Sequence, residues 1–417
     1  MGNIEILKLP PYSYPEQVSS SHLSEDMNEA FRDAGFHTIS YVPTPCRGID
    51  EKTRKKYKHI KHEQLADGSI DLYRFPLFRE GKNLIGRALR YILCNFIQYY
   101  KGIRTKEIDV VFSGSTPPTQ GILCGRVANK LSRVYRREVP FIYHLQDVFP
   151  DSLVSAGMTS KGSVIWKLGR KIEDRTYRYA DKIIVISDDI RNNIIKKGVP
   201  ENKIVVIPNW VDTNEVVPIP REDNKLFDEF SIERDKFTVV YAGNLGMAQG
   251  IDTFIDAAKQ IDDVEFIIFG EGSSKEEYAE RCKGYKNIHM FPLMPRNRVS
   301  EVYSMGDMCL VACKKGTGAG AVPSKTFSIM ATGTPVLLSF DEGTALWDLI
   351  AENDCGLCTH ADNVEELVLT INDIKNQQSR INTMGNNARA CVKAKYSKEI
   401  GTSRIVSLIK ECVLVAK

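Results

Sequence analysis

The sequence predicts an α/β chain built as two doubly wound parallel-sheet domains in series. Three observations carry this. Short apolar runs alternate with segments of helical period, as expected of strands covered on both faces by crossover helices. The alternation breaks at Pro208-Asn-Trp-Val-Asp-Thr-Asn-Glu-Val-Val-Pro-Ile-Pro220 and then restarts. The length of 417 residues suits two such domains, each of roughly 170–200 residues.

Residues 4–9 read as the first strand, followed by a polar loop. Leu23, Met27, Ala30, Phe31 and Ala34 then recur at helical spacing until Gly35 ends the helix. Strands are expected at 38–42, 109–113, 139–144 and 182–187, and helices at 120–133 and 164–179. The segment 83–106 stands apart. Leu84, Ile85, Leu89, Ile92, Leu93, Phe96 and Tyr100 make a wide apolar face flanked by Arg87, Arg90, Lys101, Arg104 and Lys106. Such a helix suits either a bilayer interface with anionic headgroups or a place against the sheet. A basic run, Lys52-Thr-Arg-Lys-Lys-Tyr-Lys58, precedes it. The proline-rich stretch from 208 reads as a linker. Beyond it, strands are expected at 237–242, 264–269, 288–291, 308–313 and 335–340. The domains divide as 1–207 and 208–395, with a last helix in 396–417.

The net charge of +3 hides an asymmetry. Residues 1–207 hold 33 Lys+Arg against 23 Asp+Glu, and the remainder holds 23 against 30. A basic first half points to an anionic partner such as a membrane surface or a phosphate; no motif supports nucleic acid. No window of about 20 apolar residues occurs, and no signal peptide is expected. Ten cysteines, mostly in apolar runs, fit a reducing cytoplasm. Cys355-Gly-Leu-Cys358 lacks the second pair a zinc site needs, so no metal site is expected.

Three strand-end loops of the second half carry the chemistry. Tyr241-Ala-Gly-Asn-Leu-Gly-Met-Ala-Gln-Gly250 runs from strand through a glycine turn into a helix. Glycines there let backbone approach a phosphate, and a helix N-terminus offers free N–H groups. Phe269-Gly-Glu-Gly272 is a second such turn or simply a tight one. Lys314-Lys-Gly-Thr-Gly-Ala-Gly-Ala-Val-Pro-Ser-Lys-Thr-Phe-Ser328 is the third, where amides and Lys325 suit a diphosphate or sugar hydroxyls. Gly243, Asn244, Gly246, Gln249, Glu271, Leu293, Gly320, Lys325 and Ser328 are the candidate donor-binding residues. In the first half, Tyr143-His-Leu-Gln-Asp-Val-Phe-Pro-Asp-Ser-Leu153 follows a strand, with His144 and Asp147 as candidate acid/base or orienting groups, though a lone histidine at a strand end is more often structural. Ser20, His22 and Thr116 follow other strands and are the candidate acceptor-binding residues. In facing domains, the cleft between them would hold the ligands.

The chain resembles the family 4 GT-B retaining glycosyltransferases, and within them the WbuB-like branch of bacterial cell-surface polysaccharide enzymes. The resemblance spans nearly the whole chain. It rests on Ser113-Gly-Ser-Thr-Pro-Pro, Gln146-Asp-Val-Phe-Pro-Asp-Ser-Leu, Val206-Ile-Pro-Asn-Trp-Val-Asp, Tyr241-Ala-Gly-Asn-Leu-Gly, Phe269-Gly-Glu-Gly, Val322-Pro-Ser-Lys, Met330-Ala-Thr-Gly-Thr-Pro-Val and Cys355-Gly-Leu. It implies an acceptor-binding first domain and a donor-binding second domain, with the last helix, about 398–413, returning to the first. It also implies a nucleotide-sugar co-substrate, a UDP-sugar above others, with no bound cofactor or metal. The implied acceptor is a polyprenyl-diphosphate-linked or other glycan, and the implied place is the inner face of the cytoplasmic membrane. In such transfer the leaving diphosphate itself takes the acceptor proton. The chain departs from the family where two glutamates usually stand, at Gly320 and Ser328, and where two cations usually stand, at Met247 and Gln249. These departures leave two alternatives open: a catalytically degenerate partner subunit, and a sugar-nucleotide epimerase of the same fold.

Overall fold

The computed structural model describes residues 3–16, 21–81, 83–155, 157–320 and 322–416. The chain divides into two units, residues 1–208 with 401–417, and residues 209–400.

Unit 1 holds an eight-stranded sheet. Its strands are β1 (Glu5–Lys8), β2 (His37–Pro43), β3 (His62–Leu65), β4 (Ile70–Phe75), β5 (Val110–Gly114), β6 (Phe141–Leu145), β7 (Lys182–Val185) and β8 (Ile204–Val206), ordered β3-β4-β2-β1-β5-β6-β7-β8. Its helices are α1 (Ser21–Asp33), α2 (Glu51–Tyr57), α3 (Leu84–Gly102), α4 (Gln120–Tyr135), α5 (Asp151–Ser155), α6 (Val164–Tyr179) and α7 (Asp188–Lys196). Each central strand is an unbroken apolar run because helices cover both faces: Ile6, Leu7, Val110, Val111, Phe141, Ile142, Ile183 and Ile184 are all fully buried. Reversal of strand order on either side of β1 marks the switch point where such sheets hold ligands.

The hairpin β3–β4 was not anticipated, and β3 runs antiparallel at the edge of an otherwise parallel sheet. Its polar alternation, with Glu63, Gln64, Asp71 and Arg74, hides it from a search for apolar runs. The buried Arg74 guanidinium is held there by Glu63 and by the Tyr14 carbonyl.

Unit 2 holds a six-stranded parallel sheet of β9 (Phe237–Asn244), β10 (Val264–Glu271), β11 (Ile288–Phe291), β12 (Met308–Ala312), β13 (Val336–Phe340) and β14 (Gly356–His360), ordered β11-β10-β9-β12-β13-β14. Its helices are α8 (Leu226–Glu229), α9 (Ile251–Ala258), α10 (Lys275–Cys282), α11 (Val299–Tyr303), α12 (Lys325–Ala331), α13 (Ala345–Glu352), α14 (Val364–Ile374) and α15 (Gln378–Lys395). Two apolar clusters, one per sheet face, form the core. The last helix, α16 (Lys398–Ala416), supplies residues 401–416 to unit 1, where the Arg404 guanidinium donates to the Val206 carbonyl.

The stretch 208–220 is not a loose linker. Trp210 and Val211 are buried, and Val211 bridges to Ser397. The Val217 and Ile219 amides donate to the Ser300 and Ser304 hydroxyls. Its prolines mark an extended segment strapped onto unit 2.

Candidate functional site

At the carboxyl ends of the unit 2 strands, the loops after β9, β10, β12, β13 and β14 are fastened together. β9 and β10 stay in register to their last residues, Gly243 beside Gly270 and Asn244 beside Glu271. The Leu245 amide donates to the Glu271 carbonyl, and the Ser274 amide donates to the Leu245 carbonyl, at 2.9 Å each. A Cβ at Gly270 would stand 2.6 Å from Leu245 Cγ, and one at Gly272 2.4 Å from the Leu245 oxygen. These two glycines are therefore required by close packing of turn on turn. Gly250, at φ +64°, closes the β9 loop and opens α9; a Cβ there would meet the Cys313 carbonyl oxygen at 2.7 Å.

Lys325, the first residue of α12, reaches back over this floor. Its ammonium lies 3.8 Å from the Tyr241 ring centroid and 3.6 Å from where a Gly243 side chain would begin. The Tyr241 hydroxyl donates to the Asn244 carbonyl at 2.8 Å. Among the described residues no carboxylate pairs with Lys325. Half-buried beside an aromatic face, it is desolvated, and its pKa falls to about 7. A cation without a counter-ion, next to backbone stripped of side chains, is ready for an anion.

The glycine-lysine loop behaves otherwise than expected. Three of its amides and the Lys314 ammonium are committed to carboxylates. Gly316 and Gly318 donate to Asp341 at 2.8 Å each, and the Lys315 amide donates to Asp362 at 3.0 Å. The Lys314 ammonium pairs with Asp252 at 3.1 Å, so it does not stand in for the missing cations. Gly320 ends a short turn in this loop and is exposed. Ser328 sits one helical turn beyond Lys325, half-buried.

The other donor candidates are placed less tightly. Asn244 is exposed, and its side-chain nitrogen would lie 2.9 Å from a Cβ at Gly246. Gln249 closes the turn onto Gly246. Glu271 is exposed and paired with Lys275 at 2.6 Å. Leu293 is exposed in the loop after β11, two strands away from β9. Met247 is 73% exposed.

In unit 1, β5 and β6 end in register, Gly114 beside His144. His144 is buried, with Nε2 2.6 Å from the Gln146 amide nitrogen. Burial and the charge of Lys8 push its pKa down to about 4, so its imidazole is neutral at pH 7. The Gln146 backbone N–H, in turn, donates to the Ser115 hydroxyl at 3.1 Å. Asp147 follows as an exposed residue, yet desolvation of its carboxyl by the neighbouring protein raises its pKa against a hydrogen bond from Ser152 that lowers it. Thr116 is exposed just beyond β5, and His22 is half-buried in the first turn of α1. Ser20 lies outside the described residues.

Sequence reasoning missed Lys8, Tyr241 and Asp341. Lys8 ends β1, with its ammonium 2.8 Å from Asn28 Oδ1 and 4.5 Å from the Phe31 ring centroid. Burial lowers its pKa to about 7. A lysine closing a buried apolar strand was the available signal. Among the described residues no three His, Cys, Asp or Glu side chains gather as a metal-binding group.

Doubly wound sheets in series, with the phosphate-ready turns in the second, are the build of the GT-B glycosyltransferases. Comparison with known proteins agrees. Residues 25–215 match the family model Glycosyltransferase Family 4, and residues 222–390 match Glycosyl transferases group 1. WbjE of Pseudomonas aeruginosa, named as a glycosyltransferase, is 26% identical over 360 residues, covering 84% of this chain and 86% of that protein. WcaI of Escherichia coli (strain K12), named for colanic acid biosynthesis, is 29% identical over 240 residues, covering 55% of this chain and 58% of that protein. Among solved structures, HepE of Anabaena in complex with UDP and glucose superposes with a TM-score of 0.72 at 16% identity, covering 98% of this chain and 100% of that one. This chain is a glycosyltransferase of the GT-B fold and of family 4.

Proposed function

We propose that the chain transfers a sugar, with retention, from a UDP-sugar held by unit 2 to a polyprenyl-diphosphate-linked or other glycan acceptor held by unit 1. It would serve cell-surface polysaccharide synthesis, in the WbuB-like branch, at the inner face of the cytoplasmic membrane. The observation that carries this reading is Lys325, an uncompensated ammonium 3.6 Å from the position a Gly243 side chain would fill. It is the group suited to the donor diphosphate. The names of the relatives and the UDP complex of HepE support the same assignment.

In this reading the acceptor hydroxyl attacks the anomeric carbon as the bond to the diphosphate breaks. The acceptor proton passes to the departing phosphate oxygen. The protein supplies placement and a charge that strengthens its hold as negative charge builds on the leaving group. Lys325 is that charge. Ser328, one turn along, meets the ribose hydroxyls in place of a glutamate. Asp147 is the carboxylate within reach of an acceptor hydroxyl. The neutral, buried His144 orients Gln146 and does not serve as an acid. The alternative of a degenerate partner loses ground because Lys325 offers a cation although the two usual ones, at Met247 and Gln249, are absent.

The test is UDP release by the purified chain with a panel of UDP-sugars and lipid-linked acceptors, beside thermal shifts with each donor. Donor-dependent stabilisation with acceptor-dependent release is expected. Absence of both for every donor removes the reading.

A further inference from the structure

Helix α3 is built inside out. The side it turns to the sheet carries Arg90, Cys94 and Gln98, all fully buried. The Arg90 guanidinium donates to the Phe78 carbonyl at 3.0 Å and to Cys46 Sγ at 3.2 Å. The Gln98 amide donates to the Pro10 and Tyr41 carbonyls, at 2.9 Å each. The side it turns to solvent carries Leu89, Ile92, Leu93, Phe96 and Tyr100, from 39% to 69% exposed. A helix packed only for a soluble fold would bury the second set and expose the first.

The neighbouring helices share the layer. Asn95 of α3 donates to Thr119 at the start of α4, at 2.7 Å. Helix α4 packs on α6 so closely that a Cβ at Gly121 would stand 2.1 Å from Thr176, and one at Gly125 2.3 Å from Tyr179. The first turns of α6 expose Val164, Ile165 and Leu168 at 83%, 58% and 59%. Between the two apolar patches, α4 exposes Arg126, Lys130 and Arg133. Helices α3, α4 and α6 together contain 11 Lys+Arg and two Asp+Glu. Of those two acids, Glu173 is buried and Asp174 is paired with Arg170. Exposed apolar rows divided by exposed cations, on helices almost free of acids, match the acyl boundary and headgroups of an anionic bilayer.

We propose that this three-helix layer of unit 1 is the membrane-docking face. The outward row of α3 and the start of α6 enter the acyl boundary, and the α4 cations lie on anionic headgroups. The proposal deepens the lipid-linked-acceptor reading and rests on it for its purpose, while its geometry stands alone.

The experiment is flotation of the full chain with vesicles of phosphatidylglycerol and phosphatidylcholine, and with phosphatidylcholine alone. Binding is expected to the first only, and to weaken in high salt. Ile92→Ser with Phe96→Ser should reduce it by about tenfold or more, and Arg126→Glu with Lys130→Glu by a similar factor. Both pairs lie on exposed positions, so melting and UDP-induced thermal shifts should not change. No wild-type binding, or unaltered binding by both variants, overturns the proposal. So does a wild-type dimer by light scattering that the Ile92/Phe96 variant turns into a monomer, since a second copy would then cover the face. Vesicle binding without transfer to any lipid-linked acceptor would keep the docking face and sink the acceptor reading. Transfer to lipid-linked acceptors without vesicle binding would do the reverse.

Discussion

Replacing Lys325 with methionine keeps the length of the side chain and removes its charge, and the structure sets two consequences of opposite sign. A charge-assisted contact to the diphosphate contributes about 1.5–3 kcal/mol, so the donor Kd should rise roughly 10- to 150-fold. The unliganded protein should become more stable. Burial lowers the folded-state pKa of Lys325 from 10.5 to about 7. Between those values the unfolded chain binds the extra proton, and stability rises with pH. The penalty for the charged, desolvated ammonium is therefore full below about pH 7 and gone near pH 10.5. The methionine variant should melt higher than wild type, most of all below pH 7, with the difference closing as pH rises. Donor affinity of the wild type should be flat below about pH 7 and weaken above it, because binding then requires proton uptake; the variant should lose this dependence. Calorimetric titration with UDP across pH, beside melting curves, reads all three. An unchanged Kd, or a variant less stable than wild type at pH 6, would refute the assignment of Lys325 as an uncompensated cation awaiting a phosphate.

Other expectations are independent. Gly250→Ala places a Cβ 2.7 Å from the Cys313 carbonyl at a positive φ and should lower stability by about 1–3 kcal/mol in urea melts. Asp341→Asn removes an acceptor from the Gly316 and Gly318 amides; it should cost about 1–3 kcal/mol of stability and shift donor Kd much less than Lys325→Met. A collapse of donor binding there would mean that the loop amides hold the diphosphate. His144 has a folded pKa near 4 against an ordinary 6.5, so its share of stability is present above pH 6.5 and lost as pH falls toward 4. His144→Gln should flatten the melting temperature in that window.

The fold was legible where burial is two-sided. The runs at 109–113, 264–269 and 335–340 were legible as strands because they are short, mostly apolar at successive positions and rich in Val, Ile, Leu and Phe, as strands covered on both faces are. The edge hairpin β3–β4 was illegible for the converse reason: its exposed pleat is polar, and Arg74 is buried only because Glu63 and Tyr14 meet it. The glycine turns were visible as turns, but their reason was not. Gly270 and Gly272 serve contact with Leu245, which lies on another loop. Helix α3 was visible as amphipathic, and sequence alone left open which way it faced. The buried bonds of Arg90 and Gln98 decide that, and their partners at Pro10, Tyr41, Cys46 and Phe78 are remote in the chain.

The charge asymmetry takes on a sharper meaning at this level. Unit 1 carries 36 Lys+Arg against 24 Asp+Glu, and unit 2 carries 20 against 29. An acidic unit proposed to bind a diphosphate looks contradictory only while charge is summed. In unit 2 the acids act on named donors: Asp252 on Lys314, Asp341 on two loop amides, Asp362 on a third. They fix the loop that leads into α12 and occupy Lys314 and three of its amides. Lys325 escapes them, held over Tyr241, and among the described residues no carboxylate pairs with it. The surrounding acids then become part of the selectivity. They make the site costly for an anion away from a free ammonium, so in the proposed reading the position of the diphosphate is set by subtraction as much as by attraction.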